Sequence, residues 1–303
     1  MRVFLVFPMA DGQTGPAIKH AFEQLGHRVK AIDARLQTNK TYESYCGFKG
    51  DLVFCTKTPE VTDHIKRIKK DFNPVVCTWN PDTRHNINDW RSLFPLIQLS
   101  DYHFVPDTKT ISAWKRINPN TFWLPQGLQD EIYHRPKSIT DADILKYSCD
   151  VNWVGDTGTL HEFRPPLISV IKQMGVNFKT WGCEGHPKIY NEEHNKMVAL
   201  SRINLGMSGW PENGQSVSVR DYKILGAGGF LLELYREGIY DLFPENGMSC
   251  YRTPEDLVTK IRHWLDHEEE RAATAERGYR WVHANATYTH RITMALEYMK
   301  SKL

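Results

Sequence analysis

One stretch of this sequence combines the residue types that bind phosphate. A strand-like run, Ile203–Gly206, leads through a loop rich in serine and glycine to a helical pattern that begins near Arg220. The N–H groups of a helix N-terminus attract anions, and an arginine can donate two parallel hydrogen bonds to phosphate oxygens. Gly226, Gly228 and Gly229 close this helix and form either a phosphate cradle or only a tight turn into the next strand. The arginine and the polar loop favour a phosphate site.

A second loop of similar composition supports the same interpretation. Residues 155–159 (GDTGT) begin with Gly155, follow a strand-like run and precede a helix that carries Arg164. They predict either a loop beside the phosphates or an ordinary turn with an arginine on the surface. Trp181 and Gly182 end another strand, where the tryptophan either stacks on a nucleobase or packs in the core.

Acidic residues follow strands in the first half of the chain. Asp82 comes just after the strand-like run Val75–Trp79. We predict that Asp82 acts as a base or as an orienting group for an acceptor, with helix capping as the alternative. Asp11 and Gly12, after the first strand, and Trp79 are predicted to lie on the same acceptor side.

These residues depend on strands that alternate with helices almost throughout the chain. Such alternation predicts β-α-β units and a mostly parallel sheet that is covered on both faces. A polar, acidic break at residues 134–149 separates two halves of similar size, so we predict an α/β fold of two doubly wound, Rossmann-like domains. The predicted domains are residues 1–145 and 146–287, followed by a last helix at 288–303. Ligands of such sheets bind beyond the carboxyl ends of the strands.

Composition argues against several other classes of protein. The 303 residues carry 38 Lys and Arg against 36 Asp and Glu, a net charge of +2, unlike a strongly basic nucleic-acid coat. No apolar run is long enough to span a membrane, and the six scattered cysteines fit reduced thiols in a cytoplasmic protein. Asp141 and Asp143 have the spacing of a metal-binding pair, but their place after Thr140 predicts the first turn of a helix. We therefore predict no metal site.

The second half of the sequence resembles a known family, the spore-maturation (CgeB-like) glycosyltransferases. The segments that carry the resemblance are Ile203–Leu232, Leu242–Phe243, Tyr251–Leu257, His267–Arg271, Gly278–Arg280 and Thr287–Arg291, and more loosely Trp79–Asp82 and Trp123–Gly127. The resemblance implies a GT-B fold, in which two domains face each other across a cleft and the last helix returns to the first domain. It also implies a nucleotide-sugar donor, expected to be a UDP-sugar, on the second domain and an acceptor on the first.

The resemblance assigns the donor to eleven residues of the second domain. These are Gly155, Arg164, Trp181, Gly182, Asn204, Arg220, Tyr222, Lys223, Gly226, Gly228 and Gly229. Where Lys223 stands the family usually carries Glu, which in related enzymes holds the ribose hydroxyls of the donor. An ammonium group can only donate hydrogen bonds, so Lys223 either binds the diphosphate or faces solvent.

Together the residues and the resemblance predict a cytoplasmic glycosyltransferase that moves a sugar from a nucleotide diphosphate to an acceptor hydroxyl, without a metal or a bound cofactor. The acceptor stays open: a glycan, a protein, a small molecule or a modified DNA base. Two alternatives keep the fold, a glycosyltransferase that acts on hydroxymethylated DNA and a sugar-nucleotide or glycan-binding protein without catalysis. A nicotinamide-dependent oxidoreductase is disfavoured because no G-x-G-x-x-G follows the first strand.

Overall fold

The computed structural model of the protein describes residues 1–84, 86–157, 161–210, 212 and 214–300. The chain forms two compact units, one of Met1–Gln126 together with Tyr288–Leu303 and one of Gly127–Thr287. The first of these boundaries lies earlier than residue 145, where the sequence predicted it. The segment after Gln126 packs within the second unit, where the N–H of Leu128 donates to the carbonyl of Ala286 over 2.8 Å.

The first unit contains a six-stranded parallel sheet. Its strands are β1 (Arg2–Phe7), β2 (Arg28–Asp33), β3 (Leu52–Cys55), β4 (Val75–Trp79), β5 (Tyr102–Val105) and β6 (Thr121–Trp123). They lie in the order β2-β1-β3-β4-β5-β6. Its first helices are α1 (Thr14–Gln24), α2 (Thr41–Cys46), α3 (Thr62–Phe72), α4 (Phe94–Leu99) and α5 (Ile111–Trp114). The central strands β1, β3 and β4 are almost wholly buried, which explains why they appear in the sequence as continuous apolar runs.

The second unit contains a five-stranded parallel sheet. Its strands are β7 (Cys149–Val154), β8 (Phe178–Trp181), β9 (Ser201–Gly206), β10 (Leu231–Leu234) and β11 (Ser249–Tyr251). They lie in the order β11-β10-β9-β7-β8. Its helices are α6 (Asp141–Tyr147), α7 (Arg164–Gln173), α8 (Asn191–Ala199), α9 (Val219–Gly226), α10 (Ile239–Leu242), α11 (Pro254–Asp266) and α12 (Glu268–Asn285). The connections from β7, β8 and β9 to the helices that follow them all begin at the carboxyl edge of this sheet.

The start of helix α6 follows directly from the local sequence. Helix α6 begins after Thr140, whose hydroxyl accepts the N–H of Asp143 while the Asp143 carboxylate accepts the N–H of Thr140. The Nζ of Lys196 also donates to this carboxylate, over 2.9 Å. Asp141 and Asp143 are therefore the acidic first turn of a helix, as their place after Thr140 predicts.

The last helix, α13 (Tyr288–Met299), belongs to the first unit. Tyr288, Ile292, Ala295 and Met299 are buried in the same core cluster as the apolar residues of β1 and α1. Residues 301–303 of the predicted last helix lie outside the described residues. Within the described ranges, none of the helices has the length and apolar character needed to cross a bilayer.

Candidate functional site

A cavity of about 280 Å³ lies at the carboxyl edge of the sheet of the second unit. It is lined by Tyr133, Val154, Gly155, Asp156, Trp181, Gly182, Lys188, Ile189, Tyr190, His194, Ser218, Val219, Arg220 and Lys223. The loops after β7 and β8 and the first two turns of α9 supply most of these residues. Aromatic and aliphatic side chains thus share one cavity with several cations, a combination that suits a ligand with a flat ring and an anionic group.

Five of the eleven predicted donor residues meet at this cavity: Gly155, Trp181, Gly182, Arg220 and Lys223. The N–H of Gly155 donates to the carbonyl of Trp181 over 2.9 Å, which ties the loop after β7 to the end of β8. Trp181 is 8% exposed, and its ring centroid lies 5.5 Å from that of Tyr147. Trp181 therefore packs in the unit and also forms part of the cavity wall.

Arg220 lies in the first turn of α9. The hydroxyl of the N-cap residue Ser218 accepts the N–H of Arg220 over 3.3 Å. The guanidinium packs over Gly155, where an added Cβ would lie 2.5 Å from Nη2. Its Nη1 is buried and has no hydrogen-bond partner, and burial lowers the pKa of Arg220. Arg220 is half-buried, lines the cavity and lies at a helix N-terminus, a combination that suits the binding of an anion.

Lys223 lies one turn further along α9. Its Nζ is 4.4 Å from the ring centroid of Tyr133, at the distance of a cation–π contact. Burial, and then the charge of Arg220, lower the pKa of Lys223 to about 8. Lys223 is half-buried and lines the cavity, which is compatible with the first of the two alternatives that the sequence left open, binding of the diphosphate.

His194 is a residue of the cavity that the sequence analysis missed. It is 3% exposed, and its Nδ1 has no hydrogen-bond partner. Burial, and then the charges of Lys223 and Arg220, lower its pKa to about 3, so the imidazole is neutral at physiological pH. The only signal in the sequence was its position in the predicted helix that begins near residue 192, which does not separate a core histidine from one that lines a cavity.

The structure places Arg164 away from the cavity lining. Its Nε and Nη2 donate to the carbonyl of Met207 over 3.0 and 2.8 Å, and its Nη1 donates to the carbonyl of Asp156 over 2.8 Å. These three hydrogen bonds occupy the guanidinium of Arg164 and hold the loop after β7. The predicted contact of Arg164 with phosphate is corrected accordingly. Gly158 and Thr159 of that predicted loop lie outside the described residues.

Asn204 and Tyr222 also lie away from the cavity lining. Asn204 is fully buried in the sheet, where Asn152 donates to its Oδ1 over 2.6 Å. Tyr222 is fully buried, and its ring centroid lies 4.9 Å from that of Phe243. The predicted contacts of Asn204 and Tyr222 with the nucleotide-sugar donor are therefore corrected. Both side chains lie in the interior of the second unit, where they connect its elements.

The predicted glycine cradle is a structural turn. Gly226, Gly228 and Gly229 lie at the C-terminal end of α9, and none of them lines the cavity. Side chains at Gly226 and Gly229 would collide with Leu128 and Val198, and Gly228 has a φ of +80°. The last turn of a helix exposes carbonyl groups and repels anions, so the phosphate prediction is corrected for the end of α9 and stays a prediction for its start.

Two buried carboxyl groups support the loop in front of α9. The Ser208 hydroxyl donates to Asp221 over 2.7 Å, and the Ser208 N–H donates to Glu233 over 2.9 Å. Burial, and then the charge of Asp221, hold the pKa of Glu233 well above its usual range. Arg236 lies 3.9 Å from Glu233 and donates to the carbonyl of Ser208. This network fixes the loop that delivers Arg220 to the cavity.

The first unit has a cavity of its own, of about 520 Å³, at the carboxyl edge of its sheet. It is lined by Phe7, Pro8, Gln13, Thr14, Ala34, Arg35, Thr38, Thr56, Lys57, Thr58, Glu60, Pro81 and Asp82. The lining is rich in hydroxyl groups, and its two cations, Arg35 and Lys57, are balanced by two carboxylates, Glu60 and Asp82. Such a lining can donate and accept many hydrogen bonds without a net charge.

Asp82 reaches this cavity as an ion pair with Lys57, with half of its side chain exposed. The Lys57 Nζ also lies 5.2 Å from the ring centroid of Trp90. Burial, and then the charges of Arg84 and Arg35, lower the pKa of Lys57 to about 8. Because this pKa is still above 7, Lys57 carries its charge at neutral pH and holds the Asp82 carboxylate at the cavity.

The other predicted acceptor-side residues are not part of this cavity lining. Asp11 and Gly12 lie in the turn between β1 and α1, whereas Gln13 and Thr14 just after them line the cavity. Trp79 is fully buried, and its Nε1 donates to the carbonyl of Leu124 over 3.2 Å. The predicted acceptor contact of Trp79 is therefore wrong, because its indole belongs to the core of the unit.

Comparison with solved structures defines the class of fold. HepE of Anabaena, solved with UDP and glucose, is similar with a TM-score of 0.68 at 11% identity. The match covers 99% of this chain and 100% of the HepE chain. Sucrose-phosphate synthase of Thermosynechococcus elongatus has a TM-score of 0.70 at 10% identity, with 99% of both chains covered. A glycosyltransferase of Rickettsia africae has a TM-score of 0.64 at 10% identity, and the match covers 99% of this chain and 98% of the Rickettsia chain. The predicted fold is confirmed: two Rossmann-like parallel sheets of the GT-B type.

Sequence comparison finds a family match for the C-terminal part of the chain. Residues 164–297 match a family model described as glycosyl transferase-like. No curated protein matches the chain by sequence. The matched region contains α9 with Arg220 and Lys223, and it supports the predicted class of glycosyltransferase.

Proposed function

We propose that this protein is a glycosyltransferase that moves a sugar from a nucleoside diphosphate sugar, expected to be a UDP-sugar, to an acceptor hydroxyl, and that it is of the CgeB-like type. The observation that carries the proposal is Arg220, whose guanidinium lies at the N-terminus of α9 and lines a cavity that also has aromatic walls. That arrangement suits a nucleotide, whose base needs an apolar wall and whose phosphates need positive charge.

The cavity of the second unit would hold the donor. When the bond between the sugar and the diphosphate breaks, negative charge grows on the diphosphate, and fixed cations lower the barrier to that step. Arg220 and Lys223 are two such cations, and the N–H groups of the first turn of α9 add to them. We therefore propose that these groups supply the stabilising charge and that transfer does not need a divalent metal ion.

The cavity of the first unit would hold the acceptor. Asp82 is the candidate general base, because its carboxylate lies at the cavity in contact with Lys57 and can take the proton of an acceptor hydroxyl. Equal numbers of cations and carboxylates line this cavity, and its hydroxyl groups suit a small polar acceptor such as a sugar. A duplex DNA acceptor would favour a strongly cationic surface, so this lining argues against the DNA-modifying alternative.

The donor site is tested by calorimetric titration with UDP and with other nucleoside diphosphates. Replacing Arg220 by Met removes charged hydrogen bonds to phosphate and should weaken binding by ~10 to 100-fold. Arg262→Met, at an exposed position on α11, is the matched control and should bind like the original protein. Equal binding by the two variants would place the nucleotide elsewhere.

The reaction is tested by release of nucleoside diphosphate from a panel of nucleotide sugars. Release that depends on an added sugar acceptor, together with a new glycoside, supports transfer. Binding of the nucleotide sugar without release or transfer would instead support the non-catalytic binding protein.

A further inference from the structure

The cavity of the second unit carries more positive than negative charge. Arg220, Lys223 and Lys188 line it, and Asp156 is the one carboxylate among the described residues of the lining. The Nη1 of Arg220 has no hydrogen-bond partner, and the part of the chain that the structure describes gives Lys223 no ion pair. An anion in the cavity would balance the excess positive charge of these lining residues.

The groups around Lys223 do not neutralise it. The titratable and charged groups that share the cavity with Lys223 are Arg220 on α9, His194 on α8, and Tyr133, Asp156, Lys188 and Tyr190 on the loops. Tyr133 offers the face of its ring and His194 is neutral.

The acidic residues of α8 are engaged by other groups. Glu193 accepts from Lys146 over 2.8 Å, and Glu192 accepts the N–H of Lys137 over 3.3 Å. Asp156, the carboxylate of the lining, is exposed to solvent. Lys223 thus lies near a second cation, Arg220, whose charge is offset only in part by the buried carboxyl groups of Asp221 and Glu233.

We propose that Arg220 and Lys223 form a two-cation site for the diphosphate of a nucleotide, and that Lys223 takes up a proton from solvent when the diphosphate binds. The inference rests on the proposed function, because it assigns the chemistry by which the same cavity recognises its donor. Since the pKa of Lys223 is lowered to about 8, a growing fraction of the free protein carries a neutral lysine above that pH. A diphosphate next to the amine favours the charged form and restores the proton.

This mechanism makes the affinity depend on the charge of the ligand and on pH. A diphosphate binds more tightly than a monophosphate, and a nucleoside without phosphate gains nothing from Lys223. Above pH 8 the affinity for the diphosphate falls by up to ~10-fold per pH unit, because each binding event must first return one proton to Lys223. The affinity for the nucleoside stays constant over the same range.

The test uses the full chain and isothermal titration calorimetry. UDP, dTDP, GDP, ADP and CDP are screened, and the one that binds is titrated between about pH 7 and 9.5, above the second pKa of a phosphate. Two buffers of different ionisation enthalpy report the protons taken up per nucleotide. The nucleoside of the same base is titrated in parallel.

Three variants separate the role of Lys223 from general effects of mutation. Lys223→Arg keeps a permanent charge, so it should bind the diphosphate but lose both the pH dependence and the proton uptake. Lys223→Met should bind the diphosphate ~10-fold more weakly, bind the nucleoside normally and also lose the pH dependence. Lys188→Met removes the other lysine of the lining and should keep the pH dependence of the original protein.

Two results would overturn the inference in different ways. If the diphosphate binds and Lys223→Arg keeps the same pH dependence and proton uptake, then the proposal for Lys223 is wrong while the donor site stands. If none of the five nucleoside diphosphates binds the original protein, the proposed function fails and the inference fails with it. Thermal melting of Lys223→Arg confirms that the variant compared is folded.

Discussion

The guanidinium of Arg220 lies over the indole ring of Trp153, with 4.2 Å between its Cζ and the ring centroid. Trp153 is fully buried in β7, so this ring is a fixed surface for the cation. The contact connects the core of the second unit with the charge at its cavity. If Arg220 binds phosphate as proposed, the affinity should depend on this packing as well as on the presence of an arginine.

Gly155→Ala should disturb this contact. The added Cβ would lie 2.5 Å from Nη2 of Arg220 and 2.9 Å from the ring of Trp153, at a φ of +150°. We expect nucleoside diphosphate binding to weaken by ~10-fold or more, because the guanidinium must move. Gly175→Ala is the matched control: its φ is +74°, but no atom lies within 4 Å of the added Cβ. If both variants bind the nucleotide equally well, the packing of Arg220 on Trp153 is not required.

Arg164→Met should lower the stability of the protein. Its guanidinium donates to the carbonyls of Met207 and Asp156, and leaving the buried carbonyl of Met207 without a donor costs ~1 to 3 kcal/mol. Denaturant unfolding measures this loss. Arg202→Met, which removes a surface ion pair with Asp150, is the control and should cost less than ~1 kcal/mol. A variant of Arg164 with unchanged stability and lost nucleotide binding would restore the phosphate contact that the sequence predicted.

His194 should make the protein less stable as the pH falls below 6.5. Its pKa is lowered from 6.5 to about 3 in the folded protein, so between these values the unfolded chain binds more protons than the folded chain. The free energy of unfolding therefore rises with pH in this window, by up to ~1.4 kcal/mol per pH unit from this residue. Urea titrations from about pH 4 to 7 should give a smaller slope for His194→Leu. An unchanged slope would show that His194 is protonated in the folded state.

Asp82→Asn should remove transfer but not donor binding. The amide has the shape of the carboxylate but cannot take the proton of an acceptor hydroxyl, so turnover should fall by ~100-fold or more. Asp71→Asn, at an exposed carboxylate of α3, is the matched control and should leave turnover unchanged. Turnover by Asp82→Asn close to that of the control would contradict a role of Asp82 as base.

The strands and the start of the donor-side helix could be predicted from the sequence because their signals are local. The run Val75–Trp79 is β4, and Ile203–Gly206 lies within β9. Arg220 was found because it follows a strand and a polar loop at the start of a helical pattern. The longest helix, α12, was not predicted, since its buried positions include Arg271, Thr274 and Gly278 instead of an apolar stripe.

The roles of the arginines could not be predicted from the sequence. Arg164 and Arg220 both follow a strand and a loop, yet Arg164 donates to carbonyls whereas Arg220 lines the cavity. The difference depends on where Met207, from another loop, comes to lie. Lys57 and Arg35 were missed for a related reason, because they belong to no motif and only the sheet brings their loops together.

The place of α13 in the first unit sets an order of events during synthesis. A ribosome completes residues 127–287 before it makes the helix that fills the core beneath β1. The second unit is then a complete folding unit while the first still lacks part of its interior. A premature stop before Tyr288 would accordingly leave the apolar surface of β1 and α1 uncovered, although the stop lies far from them in the sequence.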